Sequence, residues 1–257
     1  MNATPTGTAV TSPTRKVGLV TGGGSGIGRA TAIEFARTGA AVAVLDIDED
    51  AAAETTEMIT KEGGEALSGR VDIGDEDSVR AAIQHTVAAY GGLDYAVNNA
   101  GLSSHFRQLD EMTAAEFEQV VHVNLTGTFL CMKYELPLLT GGGAIVNVAS
   151  NGGVSVIPHA PAYVAAKHGV VGLSKAAAVD YAPAGIRVNA LCPGPTRTPG
   201  FEKIAAGTPM IETLEAGTPL GRLALPQEAA AAAVWLCSDA ASFITGVALS
   251  VDGGRLA

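Results

Sequence analysis

Residues 17–46, VGLVTGGGSGIGRATAIEFARTGAAVAVLD, decide the fold. An apolar run of strand type (17–20) passes into Thr21-Gly22-Gly23-Gly24-Ser25-Gly26-Ile27-Gly28, a helical stretch follows near 26–38, and a second apolar run (41–45) ends on Asp46. Glycines at a strand-to-helix turn let the backbone bend tightly and approach a pyrophosphate, and the N-terminus of the next helix favours the anion. The spacing is G-x-x-x-G-x-G rather than G-x-G-x-x-G, so the nucleotide reading rests on the position of the loop between the first strand and the first helix. Asp46, followed by Ile47, lies eighteen residues beyond Gly28. A carboxylate there can accept hydrogen bonds from the adenosine ribose hydroxyls and repels a 2′-phosphate. The loop offers Ser25 and no Arg or Lys to hold such a phosphate. The expected cofactor is NAD.

The same alternation continues along the chain. Further apolar runs occupy 66–71, 93–98, 143–149, 186–192 and 246–251, with helical stretches near 49–61, 76–90, 113–139, 162–182 and 226–238. Strands that are apolar on both faces and alternate with helices predict a parallel sheet covered on both sides. The fold class is therefore α/β, a single-domain, Rossmann-like, doubly wound parallel sheet of about seven strands. Residues 1–14 lack a positive start and an apolar core and read as a disordered tail rather than a signal peptide; the domain spans 15–257. Residues 194–225 break the rhythm, rich in Gly, Pro and Thr with weak helical patterning. A long connection late in such a fold suits a lid over a substrate.

Tyr163 and Lys167 stand four residues apart in the helical stretch near 162–182, and Ser150 ends a strand-like run thirteen residues before Tyr163. Positions i and i+4 share a helix face. A phenol titrates near ~10 and is a poor base at neutral pH, but a neighbouring cation lowers that value. Ser150 can fix a substrate oxygen against the phenol. The trio reads as proton-transfer machinery for an alcohol or a carbonyl.

Bulk composition excludes other classes. The 257 residues are 47% hydrophobic and carry a net charge of −10, which argues against nucleic acid as a partner and shows no basic cluster for an anionic membrane. No run of eighteen apolar residues exists to span a bilayer. The three cysteines, Cys131, Cys192 and Cys237, form no C-x-x-C pair, which fits reduced thiols in a cytoplasmic protein. No His, Cys and carboxylate cluster suggests a metal. His159 and His105 read as solvated loop residues.

The ordered set Thr21-Gly-x-x-x-Gly-x-Gly28, Asn98-Asn99-Ala100-Gly101, Asn124, Ser150, Tyr163-x-x-x-Lys167, Pro193-Gly194 and Val251-Asp252-Gly253-Gly254 resembles the short-chain dehydrogenase/reductase family across residues 15–257. The resemblance implies roles. Tyr163 is general base for alcohol oxidation and acid for carbonyl reduction. Lys167 lowers its pKa and bonds the nicotinamide ribose. Ser150 orients the substrate oxygen, and Asn124 holds a water that links Lys167 to solvent. Gly22, Ser25, Gly26, Ile27 and Gly28 form the pyrophosphate loop. Asn99, Ala100 and Gly101 pass beneath the cofactor, Asp72 meets the adenine with Ile73 stacking nearby, and Pro193, Gly194, Thr196 and Thr198 surround the carboxamide. The family also implies a homotetramer paired through the helices near 113–139 and 162–182.

The expected reaction is hydride transfer between NAD(H) and a secondary alcohol or ketone. Two alternatives share the fold: a 3-oxoacyl-[acyl-carrier-protein] reductase, disfavoured by Asp46 and the acidic charge, and a non-catalytic nucleotide-sensing regulator, disfavoured by the intact Tyr163 and Lys167. The substrate pocket is expected to involve Leu102, Ser103, Asn151, Gly152, Val154, Pro195, Phe201 and the 199–217 segment. With no Arg fork among these residues, a small, neutral, moderately hydrophobic alcohol is expected.

Overall fold

The computed structural model describes residues 15–103 and 106–257. The expected disordered tail at 1–14 and His105 lie outside the described residues. Seven parallel strands are ordered β3-β2-β1-β4-β5-β6-β7, where β1 is Val17–Thr21, β2 Ala41–Asp46, β3 Glu65–Arg70, β4 Tyr95–Asn98, β5 Gly143–Val148, β6 Ile186–Pro193 and β7 Ala248–Val251. Strand order reverses between β1 and β4, so the crevice at their carboxyl ends is the place where this architecture binds ligands. β1 is in register with both neighbours there, Thr21 opposite Leu45 on one side and Asn98 on the other.

Side chains alternate across the pleat and feed two cores. Leu19, Ala43, Leu45 and Ile145 pack on one face with residues of α3 (Glu76–Tyr90), α5 (Gly127–Glu135) and α6 (Pro161–Tyr181). Val20, Val42, Val44 and Val146 pack on the other with α1 (Gly26–Arg37), α2 (Glu49–Lys61) and α9 (Pro226–Cys237). β3 departs from the expected two-faced apolar pattern. It is the sheet edge and only partly buried, so polar residues such as Ser68 are tolerated there.

Two stretches differ from the sequence reading. The helix expected over 113–139 is interrupted: α4 (Ala114–Val121) runs into a π-helical segment, His122–Thr126, before α5 resumes. Side chains take carbonyls around this irregular turn, Asn124 Nδ2 donating to Val120 O at 3.0 Å and Thr128 Oγ1 to Asn124 O at 2.8 Å. The 194–225 connection contains two short helices, α7 (Pro199–Ala205) and α8 (Met210–Ala216), each too brief for a clear apolar period.

Candidate active site

The glycine loop closes onto the end of β4. A Cβ on Gly28 would lie 1.9 Å from Gly22 O, so no side chain fits there. Gly22 and Gly26 adopt φ of 64° and 52°, a region that favours glycine. Asn99 Nδ2 donates to Thr21 O and Gly22 O, and Thr21 Oγ1 accepts from the N–H groups of Asn99 and Ala100. Ser25 stands at the N-cap of α1 without a side-chain cap bond, and no acidic residue occupies the first turn. The first N–H groups of α1 are thus unopposed by a local carboxylate, and the tight loop leaves a cradle suited to a pyrophosphate. Ile27, half-buried, packs from this turn onto the core.

Asp46 accepts from Gly24 N at 2.8 Å and from Asp48 N at 3.0 Å, which fixes its carboxylate beside the loop, and Ile47 next to it is exposed. Arg29 follows the last glycine, but its guanidinium bonds Gly24 O and pairs with Glu54. Asp72 accepts from Gly74 N, while the cap of α3 is Asp75. Ile73 is only 6% exposed and packs against Gly127. Gly194 packs where a Cβ would meet Asp252 at 2.8 Å. Thr196 Oγ1 turns back to Gly194 O, and the Thr198 methyl lies against Gly26. Loop and lid segment therefore meet at one crevice.

Ser150, Tyr163 and Lys167 converge beside it. Ser150 lines the same cavity as Tyr163 and accepts from Gly152 N at 3.1 Å. Lys167 is buried, donates to Val148 O at 2.9 Å, and places Nζ 5.6 Å from the centre of the Tyr163 ring. Burial pushes the Lys167 ammonium down to about 8. Burial raises the Tyr163 phenol above its ordinary value, and the Ser150 hydroxyl works against that rise. Asn124 is fully buried, with Nδ2 on Leu102 O and Val120 O and Oδ1 without a hydrogen-bond partner among the described residues. That oxygen lies 2.6 Å from where a Gly101 Cβ would sit, with Lys167 Nζ 3.5 Å from the same point.

The family model described as enoyl-(acyl carrier protein) reductase matches residues 22–255. The chain belongs to the short-chain dehydrogenase/reductase family. As such it is an oxidoreductase acting on CH–OH groups with a nicotinamide dinucleotide. It is 48% identical over 240 residues to 2,5-dichloro-2,5-cyclohexadiene-1,4-diol dehydrogenase of Sphingobium indicum, covering 92% of this chain and 95% of that one. It is 42% identical to cyclohexanol dehydrogenase of an Acinetobacter species, covering 93% and 94%. The crystal structure of levodione reductase superposes with a TM-score of 0.90 at 36% identity, covering 93% of this chain and 97% of the other.

In this short-chain dehydrogenase/reductase a cavity of about 380 Å³ opens beside Ser150 and Tyr163. Its wall includes the expected Ser103, Asn151, Pro195 and Phe201, but not Leu102, Gly152 or Val154. Gly152 is buried against Ile157, and it is residues 155–158 that form that side of the wall. The sequence reading missed Arg255 and Leu256, which β7 delivers to the cavity from the end of the chain. Their position after Gly253 and Gly254, in a tail that follows a carboxyl-end strand terminus, is the signal that could have found them. His159 is exposed, at φ 60°. Among the described residues no group of His, Cys, Asp and Glu could hold a metal, no helix is long and apolar enough to cross a membrane, and all three cysteines are free and buried.

Proposed function

We propose that this enzyme interconverts a small, ring-shaped secondary alcohol and its ketone with NAD(H), using Tyr163 as general acid and base. One observation carries the reading: Ser150 and Tyr163 both face the same mainly apolar cavity, with Lys167 one helical turn from Tyr163. A substrate oxygen seated between the two hydroxyls receives a hydrogen bond from Ser150 and exchanges its proton with Tyr163. Held neutral by burial, Tyr163 is an O–H donor suited to a carbonyl, and alcohol oxidation, which needs the phenolate, gains as pH rises. Lys167 and the orphaned Asn124 Oδ1 are suited to hold a water between them, through which the proton reaches solvent.

NAD would lie across the glycine loop, with Gly22, Ser25, Gly26, Ile27 and Gly28 at the pyrophosphate, and Asp46 and Ile47 at the adenosine ribose. Asp72 and the main chain of Ile73 would border the adenine, Asn99, Ala100 and Gly101 the middle of the cofactor, and Pro193, Gly194, Thr196 and Thr198 the carboxamide. When bound it supplies the acceptor for the carbinol hydride. The related dehydrogenases named above act on six-membered rings, which supports a ring alcohol. Neutrality of the substrate was inferred from the absence of an Arg at the pocket, and Arg255 in the wall removes that ground. The net charge of −10 weighs against an acidic carrier protein as partner. Buried free thiols fit a reducing compartment, and we read the enzyme as cytoplasmic and homotetrameric.

Tyr163→Phe tests the assignment. Turnover of ring alcohols should fall by at least roughly a hundredfold in both directions, while NADH binding, followed by its fluorescence, persists. Retained turnover would refute the role of Tyr163.

A further inference from the structure

The end of the chain is built into the substrate cavity. After β7, Gly253 and Gly254 take φ of 66° and 85°, and Asp252 accepts from Gly254 N at 3.0 Å and Leu256 N at 3.1 Å. This turn carries Arg255 into the wall of the cavity that Ser150 and Tyr163 also line. Arg255 Nη1 donates to Leu214 O on α8 at 3.2 Å and reaches Thr218 Oγ1 at 3.5 Å. Nη2 and Nε make no hydrogen bond among the described residues, and no carboxylate there forms an ion pair with Arg255. The nearby carboxylates are engaged elsewhere: Glu215 pairs with Arg197, and Asp252 holds the turn. Among the described residues the half-buried guanidinium is the one cationic side chain in a wall otherwise made mainly of apolar residues such as Phe201, Ile204, Met210 and Leu214.

An Arg held by Nη1 alone keeps its Nε–Nη2 edge available for bonding, and that edge matches the two oxygens of a carboxylate. The low-polarity surroundings strengthen such a pair relative to one in water. We propose that Arg255 is the anion-recognising residue of this cavity, and that the ring alcohol oxidised here carries a carboxylate. This rests on the reading of the cavity as the seat of a secondary ring alcohol, and adds a charge to it. The bond to Leu214 serves recognition too, because it holds the guanidinium against α8 and limits the rotamer freedom lost on binding.

The test compares a hydroxycyclohexanecarboxylate with its methyl ester and with cyclohexanol, using NAD and the full chain. Wild type should favour the carboxylate in kcat/KM over the ester by roughly tenfold or more, the scale of a charge-assisted hydrogen bond. Arg255→Met should collapse that ratio toward one, mainly through KM, and Arg255→Lys should restore part of it. A wild type that favours the ester, or an R255M variant that loses both substrates by the same factor, overturns the inference and leaves Arg255 a strut between the chain end and α8. Failure of every ring alcohol with wild type would instead sink the underlying reading of the cavity, and this inference with it.

Discussion

Asp46 shows how a single carboxylate can serve two tasks. Its two oxygens accept main-chain N–H groups from Gly24 and Asp48, so the charge is held in place before any cofactor arrives. A 2′-phosphate brought to this corner would meet a fixed negative charge, and the guanidinium of Arg29 is already paired with Glu54. Steady-state kinetics should therefore give NAD a kcat/KM advantage over NADP, and Asp46→Ser should shrink the ratio by roughly tenfold or more, the factor that 1.4 kcal/mol represents. A wild type that prefers NADP contradicts this. The candidate residues could be nominated from the chain because most follow a strand end or stand one helical turn from another. Their energetics were not. Whether Tyr163 moves up or down depends on how much water the fold removes from it and on where Lys167 Nζ points, and neither quantity is local.

Between the elements that carry the site runs a buried polar brace. Asn98 on β4 donates to Glu135 on α5 at 2.9 Å and to Asn147 on β5 at 2.9 Å, and Asn147 donates to Ser174 on α6 at 2.9 Å. Each element also carries site residues, or leads into them: Asn99, Ser150, Tyr163 and Lys167, and the π segment with Asn124. Burial pushes the Glu135 carboxyl up to about 7, against a weaker downward pull from Asn98. Because the folded value lies above the ordinary 4.5, the neutral acid is favoured in the fold. That stability is fully present below about pH 4.5 and is lost as pH rises through about 7, amounting to roughly 3 kcal/mol for two to three units. Glu135→Gln, which mimics the neutral acid, should match the wild-type melting temperature near pH 5 and exceed it by several degrees at pH 8. Parallel melting profiles for the two proteins across that range would remove Glu135 as the cause. Strand and helix order came from hydrophobic period and glycine position, and so was visible in the chain. The π segment was not, since HVNLT keeps the helical apolar pattern and only Asn124 bonding to Val120 and Leu102 marks the irregular turn. α7 and α8 were hidden by brevity, and the tail at Arg255 by lying after the last strand.

For the whole molecule the telling feature is apolar surface that the fold leaves uncovered. Phe117 on α4, Phe129 on α5 and Val179 on α6 are 38%, 46% and 75% exposed, and α4 packs beside α6. A second group, Leu225, Trp235 and Phe243, is exposed at and around α9, with Phe243 entirely so. Exposed apolar groups of this kind mark association surfaces. A tetramer of dihedral symmetry needs two different self-complementary patches, whereas a dimer needs one. Exposed apolar side chains on two separate sets of elements are what an assembly of four chains would use. Light scattering coupled to sizing should give a mass near four times the 25.9 kDa of one chain. Phe129→Asp together with Val179→Asp puts unpaired charges into the first patch only, which costs several kcal/mol if it is buried between chains. The expected product is a dimer held by the α9 surface. A wild-type monomer would refute the tetramer, and a variant that stays tetrameric would show that α5 and α6 are not where the chains meet.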